Sequence, residues 1–277
     1  MESFINTWQY LPFHIDPALF SIGSFQLRYY SLMYIVAFVV VYAVSMYRIK
    51  TEQYPYTSEI LQDYLVWAML GVILGARLGE VFIYNSTYFL HHPLEIFLPF
   101  SFSNGIKFTG LSGMSYHGGV IGVIIVSVWY LRKKKIDFWN FADLIAPSIA
   151  LGYTFGRIGN FTNGELWGRV TTMPWGMYFP LDQTQSLRHP SQLYEAFFEG
   201  IFLFAVLWLM RKKNYGDGFL LGLYIFGYGL ARFLCEFFRE PDFMVGPISI
   251  GQVLCALMMA VGLMIFFWRK NASASIR

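Results

Sequence analysis

Long runs of apolar residues recur along the whole chain and constrain its fold more than any other feature. Each run is about 17–25 residues long, enough for a helix to cross about 30 Å of hydrocarbon at about 1.5 Å per residue. Helices are the open-chain elements that satisfy their own backbone hydrogen bonds in lipid. We therefore predict an all-α, polytopic membrane protein with seven transmembrane helices, at 28–47, 60–83, 115–131, 141–158, 191–210, 218–238 and 249–268.

Composition agrees with this class, since 56% of the residues are hydrophobic and only 13% are charged, against about 25% charged in soluble domains. No linker or low-complexity segment interrupts the runs, so we predict a single integral-membrane domain over residues 1–277. Residues 1–12 lack a basic region before an apolar core, and we expect no cleavable signal peptide. Cys235 and Cys255 lie within apolar runs and are expected to be free, buried thiols.

Orientation follows from the basic residues, because lysine and arginine are enriched on the cytoplasmic side of membrane proteins. Twelve basic residues follow the odd-numbered runs, which places the N-terminus outside and the C-terminus in the cytoplasm. We interpret these side chains as solvated topology signals. They are Arg48, Lys50, Arg132, Lys133, Lys134, Lys135, Arg211, Lys212, Lys213, Arg269, Lys270 and Arg277.

The remaining basic residues are almost all arginines, whose planar fork binds phosphate or carboxylate through two hydrogen bonds. The net charge of +3 is too small and scattered to indicate a nucleic-acid partner. In the predicted topology, polar ends of six helices reach one depth near the outer surface. Charges near hydrocarbon persist when they are paired or line a wet cavity, so we predict an anion site there. These basic residues are Arg28, Arg77, Lys107, Arg157, Arg169, Arg188, Arg232 and Arg239.

The sixth run carries a polar ladder, in which Tyr224, Tyr228, Arg232, Glu236 and Arg239 share one helix face. Two arginines around one glutamate leave surplus positive charge, which suits a phosphate. The alternative is an internal ladder that only holds helices together.

His117 stands in a glycine-rich stretch, 113–122, at the start of the third run. A neutral imidazole can accept a proton from a thiol near neutral pH. The alternative is a structural histidine among glycines that serve helix packing, the role we also expect for Gly71, Gly75 and Gly79.

Three other classes of protein share some of these sequence features. The motif G-L-S-G at 110–113 matches the G-x-S-G pattern of rhomboid-type intramembrane proteases, with His117 nearby in sequence. Rings of arginine also line anion channels and transporters, but a through-path would need polar groups at both membrane levels. A scaffold with compensated charges is the remaining alternative.

Four motifs resemble those of the bacterial prolipoprotein diacylglyceryl transferases. They are G-R-I-G-N-F-T-N-G-E-L-W-G at 156–168, H-G-G-V-I-G at 117–122, R-H-P-S-Q-L-Y-E at 188–195 and R-F-L-C-E-F-F-R-E-P-D at 232–242. The resemblance begins with R-Y-Y-S-L-M-Y at 28–34 and covers nearly the whole chain. The segment 169–187 departs from it, because some members have a much longer loop there, where they could contact the signal peptide.

The resemblance implies an enzyme of the bacterial cytoplasmic (inner) membrane, acting on its outer side. Its substrates would be phosphatidylglycerol and a prolipoprotein signal peptide with a lipobox cysteine. The diacylglyceryl group passes to the cysteine thiol, which forms a thioether and releases glycerol phosphate, the first step of lipoprotein maturation. Neither a metal nor an organic cofactor is implied.

The resemblance also implies site residues. Arg157 and Arg232 match positions that hold the lipid phosphate, and His117 is the candidate base. The other matching positions, which would bind or orient substrate, are Tyr30, Asn160, Glu165, Glu236 and Arg239.

Overall fold

The computed structural model describes residues 2–22, 25–98, 100–101, 107–108, 113–213, 215–241 and 243–274. Within these ranges the chain is mainly helical, with three short antiparallel β-hairpins, β1–β2, β3–β4 and β5–β6. The elements are α1 Glu2–Gln9, β1 Ala18–Ile22, β2 Phe25–Arg28, α2 Tyr29–Thr51, α3 Ser58–Gly79, α4 Ser86–His91, β3 Phe100–Ser101, β4 Lys107–Phe108, α5 Tyr116–Lys134, α6 Phe138–Thr162, α7 Ser191–Glu195, α8 Leu203–Met210, α9 Phe219–Cys235, β5 Met244–Val245, β6 Ile248–Ser249 and α10 Ile250–Ala274.

In the part of the chain that the structure describes, two π-helical segments adjoin the regular helices. Glu80–Tyr84 extends α3, and Ala196–Phe202 joins α7 to α8. Because of the second segment, the chain is helical without a break from Ser191 to Met210.

Helices occupy each of the seven predicted positions, and the predicted mainly helical membrane protein is confirmed. Among the described residues, four helices are long and apolar enough to cross a membrane, and α9 is apolar but shorter. The number of crossings and their orientation stay predictions. The four helices are Tyr29–Thr51, Ser58–Tyr84, Ser191–Met210 and Ile250–Arg269.

The chain forms two compact units, one from residues 1–54 and 139–277 and the other from residues 55–138. In the second unit α3 and α5 pack backbone to backbone. A Cβ atom at Gly79 would lie 2.7 Å from Cα of Gly118, and one at Gly75 would lie 2.8 Å from Cα of Gly122. The predicted packing role of the α3 glycines is confirmed, since any side chain there would force the helices apart.

The core of the first unit lies between α6, α8 and α9. It contains buried Ala150, Leu203, Leu207, Phe219, Leu220 and Tyr228. Asp143 of α6 accepts hydrogen bonds from the backbone N–H groups of Gly218 and Leu221, both at 2.8 Å. A carboxylate thereby satisfies free donors at the N-terminal end of α9, which fixes α9 against α6.

Arg48 corrects one sequence interpretation, because its side chain is fully buried instead of solvated. Its Nη1 donates to the backbone carbonyls of Asp143 and Leu144, both at 2.6 Å, and its Nη2 lies 2.7 Å from Glu52. Arg211 shares that glutamate, at 3.0 Å, and is 13% exposed. The interpretation as solvated signals is wrong for both arginines, although it holds for Lys50, which is exposed.

Cys235 and Cys255 are free and buried, as predicted. Several residues named from the sequence lie outside the described residues: Gly110, Leu111 and Ser112 of the G-L-S-G motif, Asp242 and Arg277. The side chains of Lys107 and Lys270 also lie outside them.

Candidate active site

The polar, glycine-rich block at the end of α6 folds into one hydrogen-bonded unit. Arg157 and Asn160 are three residues apart and therefore share a helix face. Nη1 of Arg157 donates to Oδ1 of Asn160 at 3.2 Å, and Nδ2 of Asn160 donates to Oε1 of Glu165 at 2.9 Å. Gly164 has φ +68°, a left-handed conformation that glycine adopts without strain and that turns the chain so that Glu165 reaches back.

Tyr30 lies beside this block, in the first turn of α2. A Cβ atom at Gly159 would lie 3.0 Å from Cδ2 of Tyr30, so the absence of a side chain lets the ring rest on α6. The Tyr30 hydroxyl lies 2.9 Å from the hydroxyl of Tyr34. Tyr30 therefore lies against the helix that carries Arg157 and Asn160, and its part in substrate binding stays a prediction.

Glu195 is the centre of the site, and the sequence indicated it only as one polar residue of the motif 188–195. Nε of Arg157 lies 2.8 Å, and Nη1 of Arg232 lies 2.9 Å, from the same oxygen, Oε2 of Glu195. The Glu195 side chain is 1% exposed, so one buried carboxylate holds the two predicted phosphate-binding arginines together.

Glu199 follows one turn after Glu195 and extends the network. Its Oε1 lies 3.6 Å from Nη1 of Arg232, and its Oε2 accepts a hydrogen bond from the Tyr153 hydroxyl at 2.6 Å. The same hydroxyl accepts a hydrogen bond from Nε of Arg157 at 2.6 Å, and the guanidinium lies over the Tyr153 ring. Tyr153 therefore links Arg157 to Glu199.

The predicted ladder of the sixth run is present at the end of α9. Oε2 of Glu236 lies 3.4 Å from Nη2 of Arg232 and 3.8 Å from Nη1 of Arg239. Oε1 of Glu236 accepts a hydrogen bond from the Ser249 hydroxyl at 3.0 Å. Oε1 of Glu195 lies 3.9 Å from Nε of Arg239, so the ladder joins the same network.

We call Arg157, Arg232, Arg239, Glu195, Glu199 and Glu236 the arginine cluster. The arginine side chains are 13–14% exposed, and the glutamates are 0–2% exposed. Three arginines against three glutamates give no formal surplus when all six are ionised. The expectation of surplus positive charge at this site is therefore wrong for the cluster as a whole, because α7 and the π-helix that follows bring in two carboxylates.

The loop 163–190 is folded against the end of α9. Backbone pairs join Gly168 to Arg239 and Arg188 to both Val170 and Met177. The Arg188 side chain reaches Oδ2 of Asp182 at 2.5 Å and Oε2 of Glu240 at 3.0 Å. The loop therefore holds the backbone next to Arg239 in place.

Asp182 is the buried anchor of that loop. Burial alone would raise the pKa of its carboxyl, but hydrogen bonds from Arg188 and Thr184 outweigh burial and lower the pKa to about 2. The carboxylate is therefore charged throughout the physiological range.

His117 lies in the second unit, in the first turn of α5. Ser115 caps that helix by accepting a hydrogen bond from the Gly118 N–H at 3.1 Å. The exposed His117 ring has its Nδ1 3.2 Å from the Tyr84 hydroxyl. The structure gives His117 a hydrogen-bonding partner within its own unit, and its part in the reaction stays a prediction.

Sequence reasoning missed Glu199 and Tyr153 and named Glu195 only as part of a polar stretch. A signal was present, since Glu195 and Glu199 are four residues apart in an apolar run, as are Tyr153 and Arg157. Two such pairs on different helices indicate facing polar stripes.

Comparison with known proteins agrees with the motifs. The family model described as prolipoprotein diacylglyceryl transferase matches residues 17–268. Among similar proteins, the phosphatidylglycerol–prolipoprotein diacylglyceryl transferase of Chlorobaculum tepidum is 51% identical over 98% of this chain and 96% of its own length. Those of Campylobacter curvus and Campylobacter hominis are 43% and 44% identical, over 96% and 92% of this chain and 98% and 91% of their own lengths. This chain belongs to the prolipoprotein diacylglyceryl transferase family.

Proposed function

We propose that this chain transfers the diacylglyceryl group of phosphatidylglycerol to the lipobox cysteine of a prolipoprotein signal peptide. The names of its relatives include both phosphatidylglycerol and prolipoprotein. The single observation that supports the chemistry best is the pair of arginines on one buried carboxylate. Glu195 holds Arg157 and Arg232 in one place, where their remaining donors can bind a phosphate.

The reaction replaces a carbon–oxygen bond by a carbon–sulfur bond. The cysteine sulfur attacks the carbon of the diacylglyceryl group that is bonded to a phosphate oxygen. The bonding electron pair leaves with that oxygen. The products are the thioether and glycerol phosphate, and the thiol proton passes to a base. Negative charge grows on the departing phosphate, so fixed guanidinium groups stabilise the transition state more than the ground state.

Some of the site residues bind the lipid, and the others hold those residues in place. Arg157 and Arg232 bind the phosphate, and Glu236 orients Arg232 and Arg239 through the contacts already described. Asn160 and Tyr30 bind the head group, and Glu165 fixes the amide of Asn160. The buried carboxylates of Glu195 and Glu199 keep the arginines in a defined arrangement in the absence of substrate.

His117 is the proposed base for the thiol, because the thiolate is the effective nucleophile. The contact between its Nδ1 and the Tyr84 hydroxyl favours a fixed ring orientation. In that orientation Nε2 is the nitrogen left to accept the proton.

The proposed membrane arrangement has seven crossings in the bacterial inner membrane, with the N-terminus outside and the C-terminus in the cytoplasm. It is supported by the four long apolar helices and by the basic residues after the odd-numbered runs. In this arrangement the arginine cluster lies toward the outer side, where a prolipoprotein signal peptide presents its cysteine.

The test uses purified protein in detergent with phosphatidylglycerol and a lipobox peptide, and follows release of glycerol phosphate. We expect release that requires the peptide cysteine and is lost in Arg157→Ala. A peptide with serine in place of cysteine and the exposed-residue variant Arg132→Ala are the controls. Absence of release by folded wild-type protein would contradict the proposal.

A further inference from the structure

We propose that the carboxylate of Glu199 weakens the hold of the arginine cluster on phosphomonoesters and so promotes release of the product. This inference rests on the proposed function, because the anion concerned is the leaving group of that reaction. It adds a role in turnover to a residue that does not touch the reacting carbon.

The arginine cluster buries carboxylate oxygens that accept no aligned hydrogen bond from the described residues. The Glu199 side chain is 0% exposed, and Oε1, which lies 3.6 Å from Nη1 of Arg232, accepts no aligned hydrogen bond among the described residues. Both oxygens of Glu195 lack an aligned hydrogen bond in the same part of the chain. These carboxylates therefore neutralise the charge of the arginines, but they do not accept an aligned hydrogen bond from every N–H group of those arginines.

The backbone at Glu199 departs from a regular α-helix. The residue lies in the π-helix Ala196–Phe202, and single π-helical turns are rare and frequently occur at functional sites. The next residue, Gly200, packs against Thr154, where an added Cβ atom would lie 3.1 Å from Cα of Thr154. This close approach to α6 fixes Glu199 next to Tyr153, which donates to it.

The negative charge of the bound phosphate increases when the reaction converts the substrate into the product. The phosphate of phosphatidylglycerol is a diester with one negative charge, whereas a phosphomonoester carries about 1.5–2 negative charges at pH 7. Repulsion from a nearby carboxylate is proportional to that charge and is strong where water is excluded. Glu199 therefore opposes the product more strongly than the substrate.

Binding to Glu199→Gln tests the inference without relying on catalysis. Glutamine keeps the shape and still accepts the hydrogen bond from Tyr153, but it removes the charge. We expect glycerol phosphate to bind the variant on the order of tenfold or more tightly than wild type. The gain for dimethyl phosphate, a diester, should be smaller. Thermal shift of the detergent-solubilised protein at increasing ligand concentration measures both, and the exposed-residue variant Glu59→Gln is the matched control.

Turnover supplies a second readout. In Glu199→Gln we expect kcat to fall, KM for phosphatidylglycerol to stay level or fall, and inhibition by added glycerol phosphate to strengthen. A purely structural role would instead weaken anion binding and raise KM. If Glu199→Gln does not fold, Glu199→Met removes the same charge with a side chain of similar length, and the same tightening is expected.

The outcomes separate the two proposals. Unchanged or weaker binding of glycerol phosphate by the folded variant, with an active wild type, overturns the role of Glu199 alone. A wild type that neither binds glycerol phosphate nor releases it from phosphatidylglycerol overturns the proposed function and this inference together. Arg157→Ala should abolish binding in both backgrounds, which assigns the signal to the arginine cluster.

Discussion

Arg157 on α6 and Arg232 on α9 contact the same oxygen of Glu195, at 2.8 and 2.9 Å. Two guanidinium groups repel each other unless an anion lies between them. The carboxylate supplies that anion from within the protein, so the two arginines stay together before any substrate arrives. A preformed pair needs less reorganisation when charge develops on a phosphate.

Replacing Arg157 should remove catalysis more than folding. We expect Arg157→Ala to lower the rate of glycerol phosphate release by about 10²–10³-fold, the loss typical for one donor to a developing anion. Arg157→Lys should also be impaired, because one ammonium group cannot reach Tyr153, Asn160 and Glu195 together. Initial rates measured beside Arg132→Ala check this, and near-normal activity in Arg157→Lys would show that charge alone suffices.

Replacing Glu195 should impair folding as well as activity. In Glu195→Gln both arginine contacts lose their charged partner, and breaking a buried ion pair costs about 3–5 kcal/mol. Thermal unfolding in detergent should therefore show a clear drop relative to Glu59→Gln, whose side chain is exposed. A variant as stable as wild type would mean that the arginines find other partners.

Arg48 and Lys50 form a matched pair for testing the buried arginine. Arg48→Ala should destabilise the protein by about 3–5 kcal/mol, because it removes the buried donor to two backbone carbonyls and leaves Glu52 with only one of its two arginine partners. Lys50→Ala removes an exposed basic residue of the same segment and should change stability by less than about 0.5 kcal/mol. Equal effects of the two substitutions on thermal unfolding would argue against a structural role for Arg48.

The loop 163–190 should keep its structure at lower pH than a loop held by a carboxylate of ordinary pKa. The pKa of Asp182 is lowered in the folded protein to about 2. Its contribution to stability is therefore present above the ordinary pKa of an unfolded aspartate, about 3.9, and is lost as pH falls toward the folded value. Protection of residues 177–188 against hydrogen exchange, taken relative to the intrinsic exchange rate at each pH, should stay high at pH 5 and fall toward pH 2. Asp182→Asn should show low protection in these residues already at pH 7.

His117 should act on the rate and on its pH dependence together. We expect His117→Asn to lower activity by about 10²–10⁴-fold, the range for loss of a general base. The variant should also lose the pH dependence that a general base gives to the wild-type rate. Tyr84→Phe removes the hydroxyl near Nδ1 and should have a smaller effect. Retention of most activity by His117→Asn, with the pH dependence of the wild type, would assign the residue to substrate positioning instead.

The positions of the helices, and the residues that share a face on each, could be predicted without the structure. Apolar runs of sufficient length predicted each long helix, because backbone groups in lipid must bond within their own segment. The spacing of Arg232, Glu236 and Arg239 predicted one polar stripe, because residues three and four apart face the same way on a helix. The motif around Arg157 then indicated the family.

Which polar stripes face one another depends on how the helices pack, and this could not be predicted from the sequence. Glu195 and Glu199 meet the arginines because α7 and the following π-helix pack against α6 and α9, and periodicity within one helix says nothing about its neighbours. The burial of Arg48 has the same origin, since backbone carbonyls of α6 receive its donors. Local spacing sets the direction of a side chain on its own helix, whereas charge balance in a buried site depends on every helix that packs around it.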